Sequence, residues 1–306
     1  MTTVHTTPPD ISLGDISVKV DDVPSLQEKY YRLTPEQAEF FKQQTGITDD
    51  DELKQHILAV QAEAYKVAPY PSIMGFVFII LVLRRHPAYE HVKTIGLTRK
   101  GAIFLDVGSG VGTDIRIAVA DGFQAERTIG SDLHPEFGDL AHKLFRTTPE
   151  TFPGHFIPGD AFDPAMLSVV QPFEAVPDSP EPDLKTLTSL NSLHGRISVI
   201  HASGFFHLFN ESKQLHLARA LAGLLSPEPG SIICGGNWGL PEKGLVMETW
   251  FDTNFMKVFC HSPQTWTEMW DGVVFPKGSV KVDTFLIELD MQGYKYLYLM
   301  WSVKRL

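Results

Sequence analysis

Phe104-Leu105-Asp106-Val107-Gly108-Ser109-Gly110-Val111-Gly112-Thr113-Asp114 is the stretch that decides the fold. A short apolar strand runs into a glycine-rich turn, and a helix follows. Gly108 and Gly110 supply the positive φ that such a turn needs and let the backbone approach a ligand closely. Gly112 lets the start of the helix pack near the strand. A turn of this kind puts a ligand at the carboxyl ends of the strands in an open α/β sheet.

Outward from the turn, the pattern alternates. Short apolar runs at 102–107, 127–131, 155–158, 197–201 and 231–235 read as strands, and 112–121, 135–146 and 211–225 as helices. Such alternation predicts a mainly parallel sheet with helices on both faces. Ser262-Pro263 opens a further helix that reaches about Gly272. Two long strand-like runs follow, 280–289 and 294–303, joined by Asp290-Met291-Gln292-Gly293. So short a link predicts an antiparallel hairpin. The expected Rossmann-like domain covers 96–306. Within it, residues 170–195 break the alternation with Pro172, Pro177, Pro180 and Pro182 among acidic residues, and they read as an inserted loop on the surface rather than a substrate lid.

The chain before this domain has a different character. Residues 1–24 are polar and carry Pro8, Pro9 and Pro24, which predicts a flexible arm. Residues 25–95 read as a helical cap or lid. Thr34-Pro35-Glu36-Gln37 carries the signs of a helix start, with Thr34 as cap, Pro35 at the first helical position and Gln37 closing a capping box. That helix should stop near Gly46. A second start is expected at Thr48, where Asp49 to Glu52 suit the positive end of the helix dipole. Leu53, Ile57, Val60 and Ala64 then recur at helical spacing. The apolar run from Ile73 to Leu83 is too short to cross a bilayer, which needs about 20 residues.

Charge and composition exclude several classes of function. The formal net charge is −11 over 306 residues. So acidic a surface has no general field for a phosphate backbone, which argues against DNA or RNA as the main substrate. Cys234 and Cys260, the two cysteines, cannot by themselves make a four-ligand zinc site or a disulfide framework, so no metal is expected. With no basic stretch ahead of an apolar one at the start, the reading is a cytoplasmic protein.

Two carboxylates strengthen the reading of the glycine turn. Asp132 falls at the end of the second expected strand, about twenty residues beyond the turn, where an acid binds ribose hydroxyls. Asp160 falls just past the third, followed by Ala161 and Phe162. A carboxylate there accepts from an adenine amino group, and Phe162 can pack on the ring. The spacing departs from the dinucleotide fingerprint G-x-G-x-x-G, because Thr113 stands where its third glycine belongs.

Asp106-x-Gly108-x-Gly110-x-Gly112 resembles the first motif of class I S-adenosylmethionine-dependent methyltransferases, and the terminal hairpin resembles the end of their seven-stranded sheet. The resemblance implies S-adenosylmethionine as cofactor. Asp106 and the Gly108–Gly112 turn would then serve its methionine part, Asp132 with the neighbouring Leu133 its ribose, and Asp160, Ala161 and Phe162 its adenine. A narrower resemblance runs over about residues 55–275. Tyr70-Pro71-Ser72-Ile73, Asp114-Ile115-Arg116, Gly130-Ser131-Asp132-Leu133-His134-Pro135-Glu136-Phe137 and Ile200-His201-Ala202-Ser203-Gly204-Phe205-Phe206-His207-Leu208-Phe209 are similar to fungal secondary-metabolite methyltransferases of the meroterpenoid type. The apolar run after Ile73 departs from that pattern by lacking basic and acidic residues.

On the acceptor side, His207 follows the fourth strand and is the candidate catalytic base, set against a role in orienting the loop or substrate. His201, on the strand end, reads as a buried or cofactor-side group, and Tyr70 as a residue that reaches cofactor or substrate. Phe206, Asn237 and Trp238 are candidate acceptor-pocket residues, with Trp250, Phe251, Phe255, Met256, Trp266 and Trp270 as further apolar candidates. Together these residues predict an O-methyltransferase for a small aromatic, polyketide or terpenoid acceptor, methylated on a carboxylate, enol or phenol. The alternative is a methyltransferase-like protein that binds cofactor without catalysis.

Overall fold

The computed structural model describes residues 11–13, 16–18, 25–248, 256–291 and 294–306. Inside the expected arm, β1 (Ile11–Leu13) pairs antiparallel with β2 (Ile16–Val18). The rest of the first 24 residues, and Trp250, Phe251 and Phe255, lie outside the described residues.

The cap forms from its capping signals. Thr34 and Gln37 close the capping box at the head of α1 (Pro35–Thr45), and Gly46 ends the helix at φ 73°. The second helix, α2 (Asp50–Val67), is capped by Asp49 rather than Thr48, because it is the Asp49 carboxylate that accepts from the Glu52 amide. Leu53, Ile57, Val60 and Ala64 line its buried stripe. The apolar run beyond it breaks into α3 (Pro71–Met74), a 3-10 turn (Val77–Ile79) and α4 (Val82–Arg85), and α5 (Tyr89–Thr98) follows.

This run is irregular, so its backbone polar groups find partners elsewhere. Gln61 donates to the carbonyls of Ile73 and Met74, both at 3.0 Å. Gln37 donates to Ile79 O at 3.1 Å and Thr113 to Phe78 O at 2.6 Å. Leu83 N donates to the Asp114 carboxylate at 2.9 Å. The His86 Nε2 is 3.1 Å from both the Gly235 and Trp301 carbonyls. These contacts tie the cap to the sheet and to the helix after the glycine turn.

The sheet contains β3 (Phe104–Val107), β4 (Thr128–Ser131), β5 (His155–Phe156), β6 (Val199–His201) and β7 (Ile232–Trp238), all parallel. A small hairpin of β8 (Gly244–Glu248) and β9 (Met256–Cys260), absent from the sequence reading, comes next. The long hairpin of β10 (Val280–Met291) and β11 (Tyr294–Arg305) then joins the main sheet antiparallel, with β11 against β7. The seven-stranded order is β10-β11-β7-β6-β3-β4-β5. Connecting helices are α6 (Thr113–Ala120), α7 (Glu136–Leu144), α8 (Glu211–Leu224) and α9 (Pro263–Trp270).

Period-two alternation sorts the strand residues onto two faces. Phe104, Val199, Ile232 and Cys234 pack with the cap, α6 and α7. Leu105, Ile200, Ile233 and Trp301 pack with α8 and α9 around Trp266 and Trp270. The 170–195 segment is fastened by Leu184, Leu190 and Leu193, all buried. Asn191 bonds to Ser168, Pro164 and Ala165, Arg127 pairs with Glu181, and Arg305 donates to Phe173 O at 2.9 Å.

Gly235 is where β7 passes closest to the chain leaving β6. A Cβ there would collide with the Ala202 carbonyl, which is backbone and cannot swing aside. Gly235→Ala is therefore expected to destabilise the protein by about 1–3 kcal/mol, read as a lower urea midpoint with an unchanged slope. A midpoint equal to wild type would show that this crossing is not tight.

Candidate active site

The strands β3, β4 and β6 end at one level, since Val107 pairs with Ser131 and Asp106 with His201. The turns that leave them open onto a cavity of about 690 Å³. Gly108, Gly110 and Gly112 all take positive φ, at 72°, 49° and 74°. Beside Gly110 a Cβ would meet nothing within 4 Å, so the backbone is bare toward the cavity. Gly112 instead meets Ala141 of α7, a packing role away from the cavity wall.

Asp132 leaves the end of β4 and folds back over the turn, where its Oδ2 accepts from Gly110 N at 2.9 Å. Burial pushes its carboxyl above the ordinary aspartate value. Leu133, Asp160, Ala161 and Phe162 also line the cavity. Asp160 accepts from Phe162 N at 2.9 Å, which fixes the Phe162 ring beside Phe209. Tyr70 lines the cavity from the cap, with its hydroxyl 3.2 Å from His134 Nε2. These groups fit an adenosyl cofactor, since they pair a glycine turn free of side-chain bulk beside Gly110 with carboxylates placed for hydroxyl and amino donors.

Asp106 and His201 lie under the cavity floor rather than on its wall. The Asp106 Oδ1 is 2.8 Å from His201 Nδ1, and the His201 Nε2 is 2.9 Å from Ser203 Oγ. Asp114, at the start of α6, brings a second carboxylate to 4.0 Å from the same Nδ1. Asp114 and Ser203 do reach the cavity.

Toward β7 and β11 the wall becomes aromatic. Trp238 is stacked between His207, at 5.7 Å, and Tyr296, at 5.3 Å. Ile287, Leu289, Tyr298 and Met300 of the terminal hairpin complete this side, facing Val77, Ile80 and Val82 of the cap. Phe206 and Asn237 are not part of it. Phe206 is fully buried behind the sheet against Trp266 and Trp301, and Phe205 faces the cavity in its place. Asn237 accepts from Trp301 Nε1 at 2.7 Å inside the core. Trp266 and Trp270 belong to that same core.

The hairpin's contribution was missed in the sequence, because 285–289 and 296–300 are nearly continuous apolar runs that do not show which face lines a cavity.

Sheet order, glycine turn and the two downstream acids together define a Rossmann-like methyltransferase fold. Comparison with known proteins agrees. Residues 26–79 match the family described as meroterpenoid methyltransferase N-terminal domain. The chain is 30% identical to the O-methyltransferase phiE of a fungal species, over 73% of this chain and 66% of phiE. It is 28% identical to the asnovolin E/chermesin D methyltransferase nvfJ of Aspergillus novofumigatus, over 74% and 72% of the two chains. It is 24% identical to the methyltransferase adrK of Penicillium roqueforti, over 90% of each. The chain has the fold of the class I S-adenosylmethionine-dependent methyltransferases, and it is similar to methyltransferases of fungal secondary metabolism.

Burial pushes His207 down to about 4, and its Nδ1 is buried without a partner. Burial sets His86 and His261 at about 4 as well. A histidine with a depressed folded value binds its proton more readily when unfolded. Its contribution to stability is whole above about pH 6.5 and drains away as the pH falls toward 4. His207 alone should account for about 2 kcal/mol between pH 7 and pH 5. Urea unfolding at these two pH values is expected to show a smaller loss for His207→Asn than for wild type. Equal losses would place His207 in contact with water.

Proposed function

We propose that this methyltransferase transfers a methyl group to an oxygen of a small, largely apolar acceptor of the polyketide or terpenoid kind. The observation that carries this reading is the division of a single cavity. The glycine turn and the acids Asp132 and Asp160 line its β3–β5 side, and an aromatic and aliphatic wall faces its β7–β11 side. Names of relatives support the same reading, with phiE called an O-methyltransferase and nvfJ acting on asnovolin E and chermesin D. No helix among the described residues is long and apolar enough to cross a membrane, which is compatible with work in the cytoplasm.

When bound, S-adenosylmethionine supplies an activated methyl group on a positive sulfur. The protein's own task is alignment, worth up to about 7–11 kcal/mol for well-oriented reactants. In this proposal Asp132 holds the ribose and also fixes the Gly110 amide, while Asp160, Ala161 and Phe162 border the adenine. The Gly108–Gly110 backbone closes on the methionine part. Trp238, Tyr296 and Phe205 hold the acceptor skeleton and exclude water.

In this reading His207, which lines the cavity, meets the acceptor oxygen. At a value of about 4 it is uncharged near neutral pH and a weak proton acceptor. Its part is to orient the acceptor by a hydrogen bond, which suits an acceptor that arrives ionised, as a carboxylic acid does at neutral pH.

Fungal metabolite extract incubated with the enzyme and methyl-labelled S-adenosylmethionine is expected to yield labelled products, each heavier by one methyl and lost on saponification for an ester. An extract that gains no label would remove the small-molecule reading. Asp132→Ala should weaken S-adenosylhomocysteine binding about 10–100-fold, the cost of a charged hydrogen-bond partner. Calorimetry giving wild-type affinity would reassign the ribose site. His207→Ala should slow transfer about tenfold, the cost of one hydrogen bond, with cofactor affinity held within about twofold of wild type.

A further inference from the structure

The cluster beneath the cavity floor has a feature that donor binding must confront. Two carboxylates, Asp106 and Asp114, converge on one imidazole, His201. One ligand atom from each of the three lies within 4.8 Å of the others. The imidazole is fully used, with Nδ1 against Asp106 at 2.8 Å and Nε2 against Ser203 at 2.9 Å. Of the four groups, Asp114 and Ser203 face the cavity, while Asp106 and His201 are buried behind them.

We propose that His201 is a positioning residue that serves as a stand-in cation. In the free enzyme it is an imidazolium that neutralises the carboxylate pair and aims Asp114 and Ser203 at the cavity. It releases its proton to solvent when the positively charged donor settles beside Asp114. This proposal rests on the donor assignment made above and deepens it.

A buried carboxylate and a half-buried one, 2.8 and 4.0 Å from one imidazole, favour positive charge on it. Burial alone would push His201 down, but Asp106 and Asp114 outweigh it and hold the imidazole above the ordinary histidine value. Burial also pushes Asp114 up to about 6. The other groups packed against the imidazole supply no competing cation. Cys234 on β7 is held as a thiol by burial, the Tyr298 hydroxyl on β11 is raised by burial, and His86 beside α4 is neutral at about 4. A donor with a sulfonium and an ammonium brings the missing charge. Once that charge sits against Asp114, a second cation on His201 is repelled, and the imidazole keeps its Nδ1–H toward Asp106 and accepts from Ser203 at Nε2.

The proton balance gives the test. Losing a proton on binding makes affinity rise with pH, by up to about tenfold per pH unit below the imidazolium's own value. Nitrogen-15 spectra of histidine-labelled full-length enzyme at pH 6.5 report the charge directly. His201 is assigned as the signal missing from His201→Gln, or, should that variant not fold, as the signal that moves in Ser203→Ala. The expected result is an imidazolium pattern without ligand and a neutral Nδ1–H pattern with saturating S-adenosylmethionine. Calorimetry in cacodylate and in bis-Tris at the same pH should show a release approaching one proton, and a smaller one with S-adenosylhomocysteine, which lacks the sulfonium charge. A His201 signal that is neutral in the free enzyme, or that stays charged with donor bound, overturns the proposal. Absence of any S-adenosylmethionine binding by the folded enzyme would instead overturn the donor assignment itself.

Discussion

A buried ion cluster joins the three parts of this molecule. Asp106 and His201 occupy matching positions on neighbouring parallel strands, so the sheet's own register brings carboxylate and imidazole together. Asp114 enters from the helix that the glycine turn launches, and its other oxygen takes the Leu83 amide of the cap. Removing His201 would leave the Asp106 carboxylate buried without its partner, a loss that costs several kcal/mol in other proteins. Sheet, turn and cap thus meet in one set of contacts beneath the cavity floor, alongside the ties made by His86 and Thr113.

On that floor the cavity has two walls of different origin. The cap contributes an irregular apolar run, secured by side-chain amides and by His86. The terminal hairpin contributes the facing side chains of Ile287, Leu289, Tyr296, Tyr298 and Met300. Between them, Trp238 is clasped by two rings, one of them the imidazole whose burial keeps it uncharged. The 170–195 segment lies elsewhere, fastened to the outer face of the sheet, and none of its residues borders the cavity.

The parts legible in the sequence were those set by local chemistry. The capping box at Thr34, the glycine turn and the antiparallel finish each follow from short-range rules, and Asp132 follows from its distance to the turn. What escaped was decided by phase. Reading the fifth strand as ending at Gly235 put Asn237 and Trp238 together in a loop. The strand in fact continues through Trp238, and alternation sends Trp238 to the cavity and Asn237 to the core. Phe205 and Phe206 are separated the same way by a 3-10 turn, whose phase no pattern of apolar residues fixes. The Asp106–His201 contact depends on strand pairing between residues 95 positions apart, which the linear order of the chain does not reveal.

The two walls come from opposite ends of the chain, residues 70–85 and 287–300, whereas the donor half is built from the middle. Under the proposed function, much of the acceptor wall is therefore encoded apart from the donor turn, with Phe205, His207 and Trp238 supplied from between. Changes in the flanking stretches can retune which skeleton is admitted while the central machinery stays intact. Exchanging those two segments with a relative's, as a pair, is a route to new products from an unchanged engine.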